Sequence, residues 1–206
     1  MTNLDQLVKP SIQPYLKSVG FKKKGLQWNR DRGDFVDVVT IQSAKYSTSE
    51  KQVFTVNLGV FVKSFYEAVW QKSLSGFAME ADCVVRVRLG DLIQGKPYGD
   101  ALDQWWEIEP LSTDGSVGAE IEKALIDLGI PFLGQFENYE ITADHLQKLE
   151  GWQSKNPLIA LYLALAEWKT GAPKVALETL RAIKGEVWKA KADVIHRLIK
   201  SHRGIC

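Results

Sequence analysis

The chain is nearly without cysteine: Cys83 and Cys206 are the two in 206 residues. Two thiols cannot make the disulfide framework of a small secreted domain, and a chain of this length buries a core without such staples. It also has no long apolar run. The longest, Leu158 to Ala166, falls far short of the roughly 20 residues a membrane-spanning helix needs. Charge of one sign is missing too, with 26 Lys and Arg against 25 Asp and Glu, so nothing pulls the whole molecule toward nucleic acid or an anionic membrane. The start, Met1-Thr2-Asn3-Leu4-Asp5, has neither the basic residues nor the apolar stretch of a secretory leader, and the expected location is cytoplasmic.

Catalytic and metal signatures are equally scarce. No Cys-x2-Cys, His-Glu-x2-His, Gly-x-Ser-x-Gly or Gly-x-Gly-x2-Gly pattern occurs. The three histidines, His145, His196 and His202, all fall in the helical part, and His196 and His202 are six apart, on different helix faces. Gly90 to Lys96 has the Gly-x4-Gly-Lys spacing of a phosphate loop. Pro97 follows where a metal-holding hydroxyl is required, and Leu92 and Ile93 call for burial rather than phosphate, so we read this segment as a decoy. No metal, no cofactor and no catalytic residue are expected. An enzyme whose site assembles from distant residues remains open.

The residues present divide near position 112. Before it, β-branched and aromatic residues alternate; after it, the pattern is helical. The expected fold is α+β, an antiparallel β-sheet packed with helices in residues 1–112, followed by an all-helical C-terminal half in 113–206 packed on it. A kinked helix is expected over 4–19, interrupted by Pro10 and Pro14. Strands are expected over 25–30, 35–42, 53–62 and 83–89, with a short helix in 64–75. On the third strand Phe54, Val56, Leu58, Val60 and Val62 share a face; on the fourth, Cys83, Val85, Val87 and Leu89 oppose Arg86 and Arg88. Helices are expected over 117–129, 142–152, 157–170, 173–184 and 186–202. Gly129, Gly171 and Gly185 stand as C-caps and Thr142 as an N-cap. Leu158 to Ile183 reads as a single tetratricopeptide-type hairpin, with Glu167 where that repeat carries an aromatic.

Three features compete as binding sites. Arg86 and Arg88 stand about 7 Å apart on one strand face, where like charges need an acid between them. That acid is either a neighbour such as Asp37 or Glu109, or an anionic ligand or acidic partner, with Asn57 assisting. Trp105 and Trp106 lie in an acidic setting and point to opposite faces, one buried and one available for contact. They belong to an excess of seven tryptophans, read either as core or as interface anchors. Lys22-Lys23-Lys24 with Trp28 and Arg30 would suit a phosphate backbone, but Asp31, Asp34 and Asp37 dilute the field, and nucleic acid ranks last. The leading expectation is a non-catalytic protein-binding or adaptor protein, contacting its partner through Arg86, Arg88, Asn57, Arg30, Trp105 and Trp106. A binding protein or small enzyme for an anionic small molecule is the alternative.

Several segments, Leu16 to Gly25, Trp28-Asn29-Arg30, Val53 to Val60 and Asp103 to Trp106, together resemble the bacterial family catalogued as domain of unknown function 4304, over roughly residues 4–110. That resemblance implies no established activity, cofactor or catalytic residue. Some relatives look like parts of toxin–immunity neighbourhoods, which implies binding, in an immunity-like role.

Overall fold

A computed structural model describes residue 4 and residues 8–48, 51–99, 101–108, 115–151 and 155–201. The expected division near residue 112, together with Glu109, Trp152, His202 and Cys206, lies outside these. A π-type turn, Val8–Ile12, carries Pro10, and the helix proper (α1, Gln13–Ser18) starts only beyond it, with Pro14 in its first turn, where a missing N–H costs nothing. The strands follow: β1 Lys22–Lys24, β2 Gln27–Arg32, β3 Phe35–Ser43 and β4 Gln52–Val62. Gly33, at φ +87, permits the two-residue turn that pairs Arg32 with Phe35. After α2 (Lys63–Trp70) come β5 (Val85–Arg88), α3 (Leu89–Ile93) and β6 (Trp106–Ile108). All pairings are antiparallel, in the order β1-β2-β3-β4-β5. β6 joins β4 on the same side as β5, against Gln52–Phe54, while β5 lies against Asn57–Val60.

β3 is central, as its two apolar faces predict. Phe54, Val56, Leu58, Val60 and Val62 are all buried on one face of the sheet, under helices. The remaining helices are α4 (Ser116–Ala124), α5 (Ile130–Gly134), α6 (Tyr139–Gln147), α7 (Pro157–Lys169), α8 (Pro173–Arg181) and α9 (Glu186–Ser201), with α8 packed on α7 and α9. One buried apolar cluster runs from Leu4 through the sheet to Ile199. Each fully buried Leu, Ile, Val or Phe contributes roughly 1.5–3 kcal/mol. α9 is held to α2 by Lys191, whose ammonium lies 3.9 Å from the Trp70 ring centroid and donates to Val69 O at 3.0 Å. Among the described residues no helix is long and apolar enough to cross a membrane.

Several sequence expectations need correction. Gly129 is not a C-cap. The helix continues through a π-type turn, Leu125–Gly129, into α5, whose first turn accepts Pro131. Gly129 is instead a packing glycine, where a Cβ would lie 3.1 Å from Leu125 and 3.2 Å from Leu58. α6 is capped by Asn138, whose side chain accepts from Ile141 N–H at 3.0 Å, so Thr142 sits inside the helix. Cys83 lies before β5 rather than on it, and faces away from the main core. It joins Val36, Val38, Phe61, Tyr66 and Ala78 on the second sheet face, where burial pushes its thiol well up. Glu167, at the position the hairpin repeat reserves for an aromatic, is buried and accepts from Thr179 Oγ1 at 2.8 Å; burial raises its carboxyl.

The close approach of Cys83 makes Gly59 obligatory. A Cβ there would stand 2.6 Å from Cys83 Sγ and 2.8 Å from Cys83 Cβ, both too near to coexist. Gly59→Ala is expected to cost about 1–3 kcal/mol by forcing β4 from the segment ahead of β5. Urea denaturation checks this, and a midpoint equal to that of the unaltered protein would contradict it.

Candidate functional site

β5 is short because it is bounded on both sides. A 3-10 turn, Glu80–Asp82, precedes it, and the carboxylate of Asp91 ends it by accepting the Arg88 N–H at 2.9 Å and so starting α3. Val85 and Val87 enter the core, which turns Arg86 and Arg88 to the second face opposite Gly59 and Asn57. There they line a cleft of about 360 Å3. The sheet supplies Gln42 and Asn57, the 3-10 turn supplies Glu80, α3 supplies Asp91, and Gly99, Ala101 and Asp103 come from the segment after α3. Asn156 and Ile159, at the start of α7, close one end.

The polar groups are held before anything binds. Arg86 Nε lies 2.5 Å from Glu80 Oε1, and Arg88 pairs with Asp103. The Arg88 guanidinium also stands 5.5 Å from the Trp105 ring centroid, and Trp105 lies 6.4 Å from the exposed ring of Tyr46. Asn57, almost fully buried, donates to Gln42 Oε1 at 2.7 Å. Burial raises the Asp91 carboxyl above its ordinary value, with the Asp103 charge adding to it; the Arg88 N–H bond and the Arg88 charge work against the rise. Gly90, the first glycine of the phosphate-loop decoy, is buried in α3, where a Cβ would meet Gln104 at 2.5 Å.

Of the six residues expected at a site, the structure brings Arg86, Arg88 and Asn57 into this cleft, with Trp105 alongside. Trp106 is elsewhere: its ring is buried against Phe54, centroids 6.2 Å apart, and its indole N–H donates to Glu120 at 2.9 Å. Arg30 is a framework residue. Its Nε bonds the fully buried Asp37 at 2.8 Å, and its guanidinium lies 4.9 Å from the Phe21 ring centroid. Asp37 therefore serves Arg30 and Arg32, not Arg86 or Arg88 as one expectation had it. The lysine run does not form one patch either, since Lys23 turns back to Gln13 at 3.0 Å and over the Trp28 ring. Sequence reasoning missed Glu80, Asp91 and Asp103. Asp91 was hidden inside the decoy, Asp103 stood unused beside Trp105, and no sequence signal links Asn156 to β5.

Among known families, the one described as "Domain of unknown function (DUF4304)" matches residues 12–135. The match extends past the expected end near 110, through α4 and α5. No curated protein and no solved structure matches the chain.

Proposed function

This chain belongs to the DUF4304 family, whose description carries no activity, and on that premise we propose that it is a non-catalytic binding protein holding a segment of a partner protein in the cleft beside β5. The observation that carries this reading is the lining itself. Two guanidiniums, three carboxylates and the amides of Gln42, Asn57 and Asn156 converge on one concavity, with Trp105 and exposed Tyr46 next to it. Arg, Trp and Tyr are the residues that dominate interface energetics. A small anion meets a specific obstacle, because Glu80 and Asp103 already occupy both arginines and each would have to be displaced. A protein segment carries charges of both signs and can replace both partners. The cytoplasm is the proposed compartment, supported by the scarcity of cysteine.

The test is a pull-down from nuclease-treated lysate, comparing the full chain with the Arg86→Ala, Arg88→Ala double variant. Both ion pairs reach solvent, so their removal is expected to leave the fold intact. A co-purifying protein in stoichiometric amount whose affinity falls about 30-fold or more in the variant supports the reading. Equal recovery by both proteins overturns it.

A further inference from the structure

We propose that β5 binds its partner by strand addition: an extended segment of another protein pairs with the outer edge of β5 and sets a lysine or arginine against Asp91. The proposal rests on the cleft reading above and adds the mode of binding and the chemistry of the occupant.

The backbone of β5 points to this. Arg88 gives its N–H to Asp91, and therefore away from β4. Val85 carbonyl oxygen, by contrast, comes within 3.2 Å of the Cβ position of Gly59, on the β4 side. Backbone direction alternates along an antiparallel strand, so Val85 and Val87 bond β4 while the Arg86 N–H and C=O point outward. Val84 N–H also turns inward, reaching Val60 O at 2.8 Å although the register partner of Val60 is Val85. This doubling is a bulge, and it marks the point before which regular pairing with β4 stops. The outward groups of Arg86 thus belong to a stretch in which Val84, Arg86, Val87 and Arg88 line the cleft.

The two edges of the sheet differ. The far edge is β1, three residues long and all lysine, the composition that keeps an added strand away. β5 is also short, but it carries no lysine, and its two arginines are committed to Glu80 and Asp103 rather than left free along the edge. Four strand residues span about 10 Å, room for a stretch of three or four added residues.

The charge balance selects the occupant. The lining holds Glu80, Asp91 and Asp103 against Arg86 and Arg88, an excess of one negative charge. Glu80 and Asp103 have guanidiniums bonded to them. Among the described residues the Asp91 carboxylate accepts the Arg88 backbone N–H and is bonded by no lysine or arginine side chain. A cationic side chain from the added strand is the complement, which is opposite in sign to the acidic partner that the sequence suggested.

The experiment selects binders of the intact chain from a displayed library of random twelve-residue peptides, then synthesises the best and measures its affinity by calorimetry. Selected peptides should carry Lys or Arg among β-branched and aromatic residues, with no central Pro. Single N-methylation along the peptide should weaken binding about tenfold or more at alternate positions and little between them, because only alternate N–H groups face β5. Asp91→Asn, an isosteric change that retains the acceptor for Arg88 N–H, should weaken binding about tenfold or more with the melting temperature preserved. Peptides that lose affinity for the Arg86→Ala, Arg88→Ala variant but are acidic, or show no alternation on methylation, overturn strand addition and leave the cleft reading standing. No enrichment, or peptides that bind that variant equally well, overturns both. Dimerisation of the unliganded chain through β5, seen by light scattering and lost with Asp91→Asn, would make a second copy the occupant and also overturn the proposal.

Discussion

Replacing Asp37 with Asn is expected to destabilise the protein by about 3 kcal/mol or more, the low end of the range for breaking a buried charge cluster. Asp37 has no exposure, lies on the helix-facing side of β3, and is directly opposite Arg30 in register. Its carboxylate takes Arg30 Nε at 2.8 Å and Arg32 at 2.8 and 2.6 Å. Arg32 Nη2 in turn reaches the carbonyls of Leu133 and Phe136, at 3.2 and 3.1 Å, at the end of α5. The Leu133 carbonyl also takes a long bond from Phe136 N–H, 3.3 Å, so this arginine adds a second donor there and supplies one to Phe136, tying β2 to the end of α5. Asparagine keeps the shape and removes the charge, leaving two guanidiniums about a fifth exposed with no counter-ion. With a slope of about 1–3 kcal/mol per molar urea, the midpoint should fall by roughly 1 M or more. An unchanged midpoint would show that the cluster orients the strands without stabilising them.

The second large effect is on acid stability, through His145. Its ring is enclosed by Phe132, Phe136 and Tyr98, with centroids 5.8, 5.2 and 5.2 Å away. Its Nε2 has no hydrogen-bond partner among the described residues. Burial, with a smaller contribution from the charge of Lys148, pushes its pKa down from 6.5 to about 4. The folded protein therefore holds the imidazole neutral, while the unfolded chain takes up a proton at about 6.5. The stability associated with this residue is complete above pH 6.5, is lost progressively as pH falls toward 4, and levels off below. Its depth is about 3 kcal/mol at 1.36 kcal/mol for each pH unit between the two pKa values. His145→Phe keeps an aromatic ring and removes the titration. Carboxylates titrate alike in both proteins, so the difference between their stability curves isolates the histidine. Parallel curves from pH 7 to pH 4 would refute the assignment.

Where period and burial coincide, the fold was readable in advance. β4 carries an apolar residue at every second position because that face lies under helices, although the structure buries its other face too, and β3 reads as central because Val36 and Val38 on its second face are apolar and buried as well. β1 was not readable. Lys22–Lys24 has no strand pattern of its own and is a strand only because it pairs with Gln27–Asn29. The same limit applies to the site. Alternation correctly turned Arg86 and Arg88 to one face, but their counter-ions come from turns six residues before Arg86 and fifteen after Arg88, whose course no local pattern encodes. The pairing of Arg30 with Asp37 was not legible because it depends on the register between β2 and β3, and one residue of slip would have put it on the opposite face. Thr142 and Gly129 show the corresponding error in helices. Cap chemistry was present at both, yet Asn138 lay one turn earlier, and packing against Leu58 outweighed the stop signal at Gly129.

The bond from Arg32 to Leu133 joins residues 101 apart in sequence. On a ribosome adding about 5–20 residues each second, β2 emerges roughly 5–20 s before the carbonyls that its arginine must meet. During that interval the paired strands carry a charged cluster with one side unanswered and a hydrophobic face with no helices over it. The sheet cannot reach its final state as it is made; it waits for the helices that cover it, and the time spent waiting is when its strands are most exposed to misassembly.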